Sequence, residues 1–343
     1  MGCISTYLPI RKLLRLLLFL LTLMFLGIIF GLIRSDGKNA AIQGKFPSEM
    51  RSSNEDSREP IIKETLVVTP KVDRDISSVE RVVPNTTFVY FIIPKCGSRT
   101  LFYLVSNLKE KNGWGEVSAL TKLVKERRRD RTSMVQEYVD NATRPAFLYV
   151  DTSFVPLRDS GDLVYISLIR DPLERFLSAY YFEKSGDGIQ GPDTGLKGKY
   201  ERDYFSHCQK SLRNDTCFGH WLGKTIHPRF CGVTSICSQM ARKTIERAKR
   251  IASQTFSVVG ILEEFDKFLQ LLEKKYPAHF KGLYEMYQKS ETREFVSKVK
   301  TKEKERPRPD IIEKMKEDMK LDYEFYGFVK DQFHKQLDEM DIR

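Results

Sequence analysis

The sequence predicts an α/β fold in which a central parallel sheet is flanked by helices, with one transmembrane helix before it. Four apolar runs of strand length are continuous rather than alternating, which is typical of strands that are covered on both faces. They cover residues 88–93, 146–150, 163–169 and 256–261. Segments with helical spacing lie close to them in the chain. The clearest cover residues 100–108, 263–274 and 311–334. Strands that alternate with helices favour a parallel sheet.

Composition supports a folded body and an anionic partner. Of the 343 residues, 41% are hydrophobic and 30% are charged, which excludes a wholly disordered or collagen-like chain. The 57 Lys and Arg residues exceed the 46 Asp and Glu residues, so the formal net charge is +11. This positive charge is compatible with several partners: a nucleic acid, a membrane face, a nucleotide or an acidic polysaccharide. Net charge does not predict a fold.

The N-terminal region predicts a membrane anchor. Residues 16–33 carry no charge, and Arg11, Lys12 and Arg15 precede them. Such a stretch can cross a bilayer, and the preceding basic residues place its N-terminal side in the cytosol. A cleaved signal peptide is the alternative, but no small-residue cleavage site follows the apolar stretch. We therefore expect a single-pass type II protein.

The predicted organisation has four parts along the chain. Residues 1–12 form a cytosolic tail and residues 13–33 a signal anchor. Residues 34–83 are polar and lack a period of 2 or 3.6, so they are expected to form a flexible stem. Residues 84–343 form the lumenal body, which is large for one domain but within the range of an α/β unit.

Cysteines and sequons agree with a lumenal body. Four cysteines form two closely spaced pairs, and an oxidising lumen favours disulfides over zinc. We prefer to pair sequence neighbours, Cys208 with Cys217 and Cys231 with Cys237, although sequence alone leaves three connectivities open. Glycosylation sequons begin at Asn85, Asn141 and Asn214.

The first chemical motif follows the first predicted strand. Lys95-Cys96-Gly97-Ser98-Arg99-Thr100 joins that strand to a helix, and a helix N-terminus supplies backbone N–H groups to an anion. Gly97 permits close backbone approach, Ser98 and Thr100 offer hydroxyl groups, and Lys95 adds a cation. The lysine precedes the glycine, so this is not a G-x-x-x-x-G-K-[ST] loop. An ordinary turn with a solvated lysine is the alternative.

A second motif follows the strand at residues 163–169. Arg170 stands at its end, Asp171 is a suitable N-cap, and Pro172 suits the first helical position. Ser178 lies two turns further along the predicted helix. An arginine and a hydroxyl can hold a second phosphate together. The alternative is that Arg170 only pairs with a neighbouring carboxylate.

Three motifs in the body together resemble one family. They are Lys95-Cys96-Gly97-Ser98-Arg99-Thr100, Ile169-Arg170-Asp171-Pro172 with Arg175-Phe176-Leu177-Ser178, and Phe230-Cys231-Gly232 with Cys237. They resemble the uronyl 2-O-sulfotransferases and heparan sulfate 2-O-sulfotransferases of glycosaminoglycan synthesis, and the resemblance covers most of the body.

The resemblance implies a P-loop-like sulfotransferase fold and a Golgi enzyme that forms a homotrimer and needs no metal. The implied donor is 3′-phosphoadenylyl sulfate (PAPS). The first loop, from Lys95 to Thr100, would hold its 5′-phosphosulfate, and Arg170 with Ser178 its 3′-phosphate. The acceptor would be a hydroxyl of an acidic polysaccharide such as heparan, dermatan or chondroitin sulfate. Nucleic acid is not an expected partner.

Lys95 is the leading catalytic residue, because its ammonium can neutralise charge on the leaving phosphate.

Two positions depart from the pattern of the family. The family carries histidine after the strand corresponding to residues 146–150, where this chain has Asp151, so Asp151 is the candidate general base. An arginine of the family is Ile92 here. A catalytically altered protein that binds polysaccharide or nucleotide without transfer is therefore the alternative function, and a nucleotide kinase is a weaker one.

Basic residues in two segments are candidates for holding polyanions. Lys197, Lys199 and Arg202 are expected to bind the acceptor. Alternating basic residues run from Lys298 to Arg308, and by resemblance Lys300 and Lys302 would close over the nucleotide. A solvated charged face is the alternative for this second segment.

Overall fold

The centre of the molecule is a five-stranded parallel sheet. A computed structural model describes residues 85–121, 128–158, 161–191, 226–238 and 242–343. The strands are β1 (Thr87–Phe91), β2 (Glu116–Leu120), β3 (Ala146–Val150), β4 (Leu163–Ile169) and β5 (Phe256–Ile261). Their order across the sheet is β2-β3-β1-β4-β5, and every neighbouring pair is parallel. The predicted parallel sheet flanked by helices is confirmed, and β2 is a strand that the sequence did not predict.

Helices account for most of the remaining described chain. They are α1 (Ser98–Asn107), α2 (Arg128–Asp140), α3 (Pro172–Ser185), α4 (His227–Cys231), α5 (Arg242–Thr255), α6 (Phe265–Lys275), α7 (Pro277–Phe280), α8 (Leu283–Tyr287), α9 (Ser290–Lys298), α10 (Pro309–Asp318) and α11 (Lys320–Glu339). The helix expected at 311–334 is two helices, because the backbone leaves helical geometry at Met319. The helix expected at 263–274 begins with a 3-10 turn, Leu262–Glu264.

An aromatic cluster packs against the central strands. Phe88 on β1 lies within 5.5 Å, between ring centroids, of Trp114, Tyr276 and Phe280. Phe147 on β3 contacts Trp114 and Phe280 in the same cluster. Edge-to-face pairs of this kind each contribute about 0.5–1.5 kcal/mol beyond the burial of their area. All residues of β1 and β3 are buried, which explains why both strands read as continuous apolar runs.

The order of the strands creates a switch point between β1 and β4. From β1 the chain leads through α1 to β2 at one edge of the sheet, whereas from β4 it leads through α3 to β5 at the other edge. β1 and β4 lie next to each other, and the chain leaves them toward opposite edges of the sheet. A crevice is therefore left open between their carboxyl ends. In open α/β sheets ligands bind at such a switch point.

The predicted tail (1–12), anchor (13–33) and stem (34–83) lie outside the described residues, and the description of the body begins at Asn85. Within the described ranges, none of the helices combines the length and the apolar character that a bilayer span requires.

Candidate active site

The loop between β1 and α1 has a backbone conformation that suits an anion. Lys95 and Gly97 both adopt left-handed conformations, with φ of 69° and 78°. The left-handed φ favours glycine at Gly97, and a Cβ there would lie 2.6 Å from Leu262 Cδ1, so that side chain would have to move. The amides of Thr100 and Leu101 donate to the Gly97 carbonyl. The backbone N–H groups of Ser98 and Arg99 have no acceptor in the part of the chain that is described, and they lie at the positive end of the α1 dipole.

Lys95 is the unusual cation of this loop. Its ammonium lies 3.5 Å from the centroid of the Phe182 ring on α3. Burial, assisted by the positive charges of Arg99 and Arg170, lowers the pKa of Lys95 from 10.5 to about 8. Asp187 opposes this shift. At neutral pH the ammonium is still the main form, but it is a far stronger acid than an ordinary lysine.

Two side chains of the predicted loop face inward. Cys96 is fully buried, and burial raises the pKa of its thiol to about 12. Its backbone amide donates to the Ile93 carbonyl, and Thr100 is also buried. The Cys96 thiol therefore packs inside the turn, and a role for Cys96 in binding the nucleotide stays a prediction.

The second motif has the predicted helix start. Asp171 accepts a hydrogen bond from the Glu174 amide at 2.9 Å, and Pro172 is the first residue of α3. Arg170 stands at the end of β4, and its Nη2 lies 3.4 Å from Glu174 Oε2. Arg170 and the loop of Lys95 therefore follow neighbouring strands, and the positive charge of Arg170 contributes to the lowered pKa of Lys95.

A segment that we call the strap, residues 298–306, crosses α3 from its C-terminal to its N-terminal end. Near the C-terminal end, the Gly188 amide donates to the Lys298 carbonyl and the Lys302 amide donates to the Gly186 carbonyl. In the middle, Ser178 Oγ and Thr301 Oγ1 are 3.0 Å apart. At the N-terminal end, Lys304 and Arg306 form ion pairs with Glu174 at 3.0 and 2.9 Å.

Glu174 is the shared counter-ion of the strap and of β4. Burial alone would raise the pKa of Glu174, but hydrogen bonds from Lys304 and Arg306 and the charge of Arg170 outweigh it and lower the pKa. Ser178 is 7% exposed beneath the strap. The side chains of Lys300 and Lys302 are exposed, so the strap is held by its backbone, Thr301 and Glu174 rather than by these two lysines.

Arg99 joins the first loop to the strap. Its guanidinium pairs with Asp187 and also donates to the Val299 carbonyl at 3.3 Å. Burial tends to raise the pKa of Asp187, but hydrogen bonds from Arg99 and from the amides of Gln190 and Ile189 lower it. The sequence did not identify Asp187, although its position between Gly186 and Gly188 is a turn signal.

Asp151 lies at the carboxyl end of β3 and is paired. Its Oδ1 accepts a hydrogen bond from Arg229 Nη1 at 3.0 Å, and the same nitrogen donates to the Ile92 carbonyl at 2.9 Å. The Asp151 amide donates to the Leu120 carbonyl at the end of β2. Lys95, Arg99, Arg170 and Asp151 thus all follow the carboxyl ends of neighbouring parallel strands, whereas Ser178 lies further along α3, beneath the strap. Arg229, which the sequence did not identify, pairs with Asp151.

Other predicted site residues fall into two groups. Lys197, Lys199, Arg202, Cys208, Cys217 and Asn214 lie outside the described residues. Cys231 and Cys237 form a disulfide, and Asn85 and Asn141 are exposed. Across the described ranges, no group of three or more His, Cys, Asp and Glu side chains is placed to hold a metal ion.

The lowered pKa of Lys95 predicts a distinctive reactivity. Labelling of Lys95 by a small acylating reagent, followed by peptide mass spectrometry, should rise about tenfold per pH unit below pH 8 and level off above it, because only the neutral amine reacts. In urea-unfolded protein the rise should continue toward pH 10.5, the ordinary value. A folded-state rise that continues unchanged beyond pH 9 would contradict the burial of this ammonium.

Comparison with known proteins supplies the family. Residues 81–329 match the model of the sulfotransferase family. The chain is 34% identical to human uronyl 2-sulfotransferase over 256 residues, covering 72% of this chain and 62% of that relative. It is 29% identical to heparan sulfate 2-O-sulfotransferase 1 of Gallus gallus over 266 residues, covering 73% of this chain and 71% of the relative. The matched region thus spans less than two thirds of the uronyl enzyme. Because the family model matches most of the chain, this protein belongs to the sulfotransferase family.

Proposed function

We propose that this protein transfers sulfate from PAPS to a hydroxyl of a glycosaminoglycan or related acidic polysaccharide, most specifically to the 2-O position of a uronic acid. The observation that carries the proposal is that the Lys95 loop follows β1 and Arg170 follows β4, two neighbouring parallel strands on either side of the switch point. Family membership and relatives named uronyl 2-sulfotransferase and heparan sulfate 2-O-sulfotransferase 1 support it.

The donor would bridge the two motifs. The amides of Ser98 and Arg99 would bind the 5′-phosphosulfate, with Lys95 beside the oxygen that joins phosphate to sulfate. Arg170 and Ser178 would bind the 3′-phosphate, which would compete with Glu174 for the Arg170 guanidinium. The strap, which includes Lys300 and Lys302, would cover the nucleotide.

In the transfer step, the acceptor oxygen forms a bond to sulfur while the bond from sulfur to the phosphate oxygen breaks. The acceptor hydroxyl gives its proton to the Asp151 carboxylate, which acts as general base. The Lys95 ammonium donates to the departing phosphate oxygen, where negative charge grows only as the bond breaks. Such a donor lowers the barrier because it binds the transition state more tightly than the ground state.

The acceptor and the cellular setting follow from the same proposal. Lys197, Lys199 and Arg202 are the proposed acceptor-binding residues. The proposed setting is the Golgi lumen, with the chain anchored through residues 13–33, glycosylated at its sequons and assembled as a homotrimer. Disaccharide analysis of heparan, dermatan and chondroitin polymers treated with the protein and labelled PAPS would identify the sulfated position and the preferred polymer.

A second candidate function is binding without transfer. It is favoured by one observation, that the group at the end of β3 is an aspartate already engaged by Arg229 rather than a histidine. In this alternative, the protein binds the nucleotide and heparin but does not transfer sulfate.

Replacing Lys95 tests the proposed transfer. Lys95→Ala should lower kcat for sulfate transfer by about 100-fold or more, the usual effect of removing one donor to a developing oxyanion. Its affinity for adenosine 3′,5′-bisphosphate, measured by calorimetry, should weaken by less than about tenfold, because the amides and Arg170 remain.

Lys335→Ala, on the exposed face of α11, is the matched control and should keep wild-type turnover. Unchanged turnover in Lys95→Ala would remove Lys95 from the reaction. A wild-type protein that binds the bisphosphate but transfers no sulfate to any of the three polymers would favour the binding function instead.

A further inference from the structure

Arg229 is an unassigned residue that links two strand ends at the proposed site. Its Nη1 donates both to the Ile92 carbonyl, three residues before Lys95, and to Asp151 Oδ1. The Ile92 amide in turn donates to the Val150 carbonyl at the end of β3. One guanidinium therefore spans the junction between the strand that leads to Lys95 and the strand that leads to Asp151.

The helix that carries Arg229 is firmly held. Asp322 on α11 is 2% exposed and accepts hydrogen bonds from the backbone amides of Ile226 and His227 at 3.0 and 3.1 Å, and it also pairs with the His227 ring. The Cys231–Cys237 disulfide closes the other end of α4. The Phe154 amide donates to the Arg229 carbonyl at 2.7 Å. Arg229 therefore reaches Asp151 from a rigid base.

The pair is partly removed from water, which gives it more weight than a surface ion pair. The side chains of Arg229 and Asp151 are 26% and 23% exposed. A charge-assisted hydrogen bond in this setting restricts rotation of the carboxylate, whereas a fully exposed pair would contribute little. Within the described part of the chain, Oδ2 of Asp151 has no hydrogen-bond partner, so this oxygen remains available to accept a proton.

We infer that Arg229 is a positioning residue for the transfer reaction: it fixes the Asp151 carboxylate and ties it to the strand that carries Lys95, so that base and ammonium keep a constant separation. The inference rests on the proposed function. Arg229 acts through Asp151 and touches neither substrate nor donor in this role. Loss of such alignment by about 1 Å can lower a rate by about 100-fold.

Four variants of the full chain test this role: Arg229→Met, Arg229→Lys, Asp151→Asn and the double variant Arg229→Met with Asp151→Asn. Sulfate transfer is measured with the polymer on which the wild type is fastest. Arg229→Met should lower kcat by about 10- to 100-fold with KM for PAPS within about threefold, because it misaligns the base only. Arg229→Lys should recover part of that loss, since an ammonium can still bridge carbonyl and carboxylate.

The double variant tests whether Arg229 acts through Asp151. If Arg229 acts through Asp151, Arg229→Met should slow the Asp151→Asn protein by less than about threefold, because the group that it positions is already gone. Arg250→Met, on the exposed face of α5, is the matched control and should leave kcat unchanged. Affinity for adenosine 3′,5′-bisphosphate should stay within about threefold of wild type in every variant, which also reports that each one is folded.

The contrary results separate a failure of the inference from a failure of the proposed function. An active wild type with an equally active Arg229→Met overturns the inference and leaves the proposed function standing. The inference is also overturned if the two substitutions lower kcat independently, if Asp151→Asn keeps wild-type kcat, or if Arg229→Met and Arg229→Lys both lose nucleotide affinity. A wild type that transfers no sulfate overturns the proposed function itself.

Discussion

The proposed chemistry of this protein depends on the neighbouring positions of β1 and β4 in a parallel sheet. Strand order β2-β3-β1-β4-β5 sends the chain from these two strands toward opposite edges, so their carboxyl ends are left open beside each other. Each end is followed by a helix, α1 after the Lys95 loop or α3 after Arg170 and Asp171, whose N-terminus favours an anion. A different strand order would separate the two motifs even if every residue of both were kept.

The cations of the two motifs differ in their partners. Arg99 is paired with Asp187, and Arg170 shares Glu174 with Lys304 and Arg306 of the strap. Lys95, by contrast, meets the face of Phe182, and within the described chain it forms no salt bridge. Burial, assisted by the positive charges of Arg99 and Arg170, lowers the pKa of Lys95. Glu174 holds the strap against α3 and Asp187 holds Arg99, whereas the Lys95 ammonium beside the first loop is available to an incoming anion.

The sequence predicts the parts of the fold and site that depend on local pattern. Strands β1, β3, β4 and β5 are buried on both faces and therefore read as continuous apolar runs. The edge strand β2 has half-buried polar residues, Glu116 and Ser118, and carries no such signal. The start of α3 is predictable because an N-cap and a proline act within one turn.

Long-range pairing is what the sequence could not predict. Arg229 and Ile92 are 137 residues apart, and Arg99 and Asp187 are 88 residues apart, so no local pattern joins them. The sequence predicted that Asp151 follows a strand, which is β3, but it contained no sign of the Arg229 guanidinium that holds this carboxylate. Cys96 was expected in the nucleotide loop, and only the packing of that loop shows its thiol turned into the core.

The central claim is that two strand ends hold opposite ends of one nucleotide, and ligand-matched calorimetry on Arg170→Met tests it most directly. Adenosine 3′,5′-bisphosphate and adenosine 5′-monophosphate differ only in the 3′-phosphate. Loss of a charged hydrogen bond should weaken binding of the bisphosphate by about 10- to 100-fold, with the monophosphate unchanged within about threefold. Equal weakening for both ligands, or for neither, would contradict the claim that Arg170 holds the 3′ end.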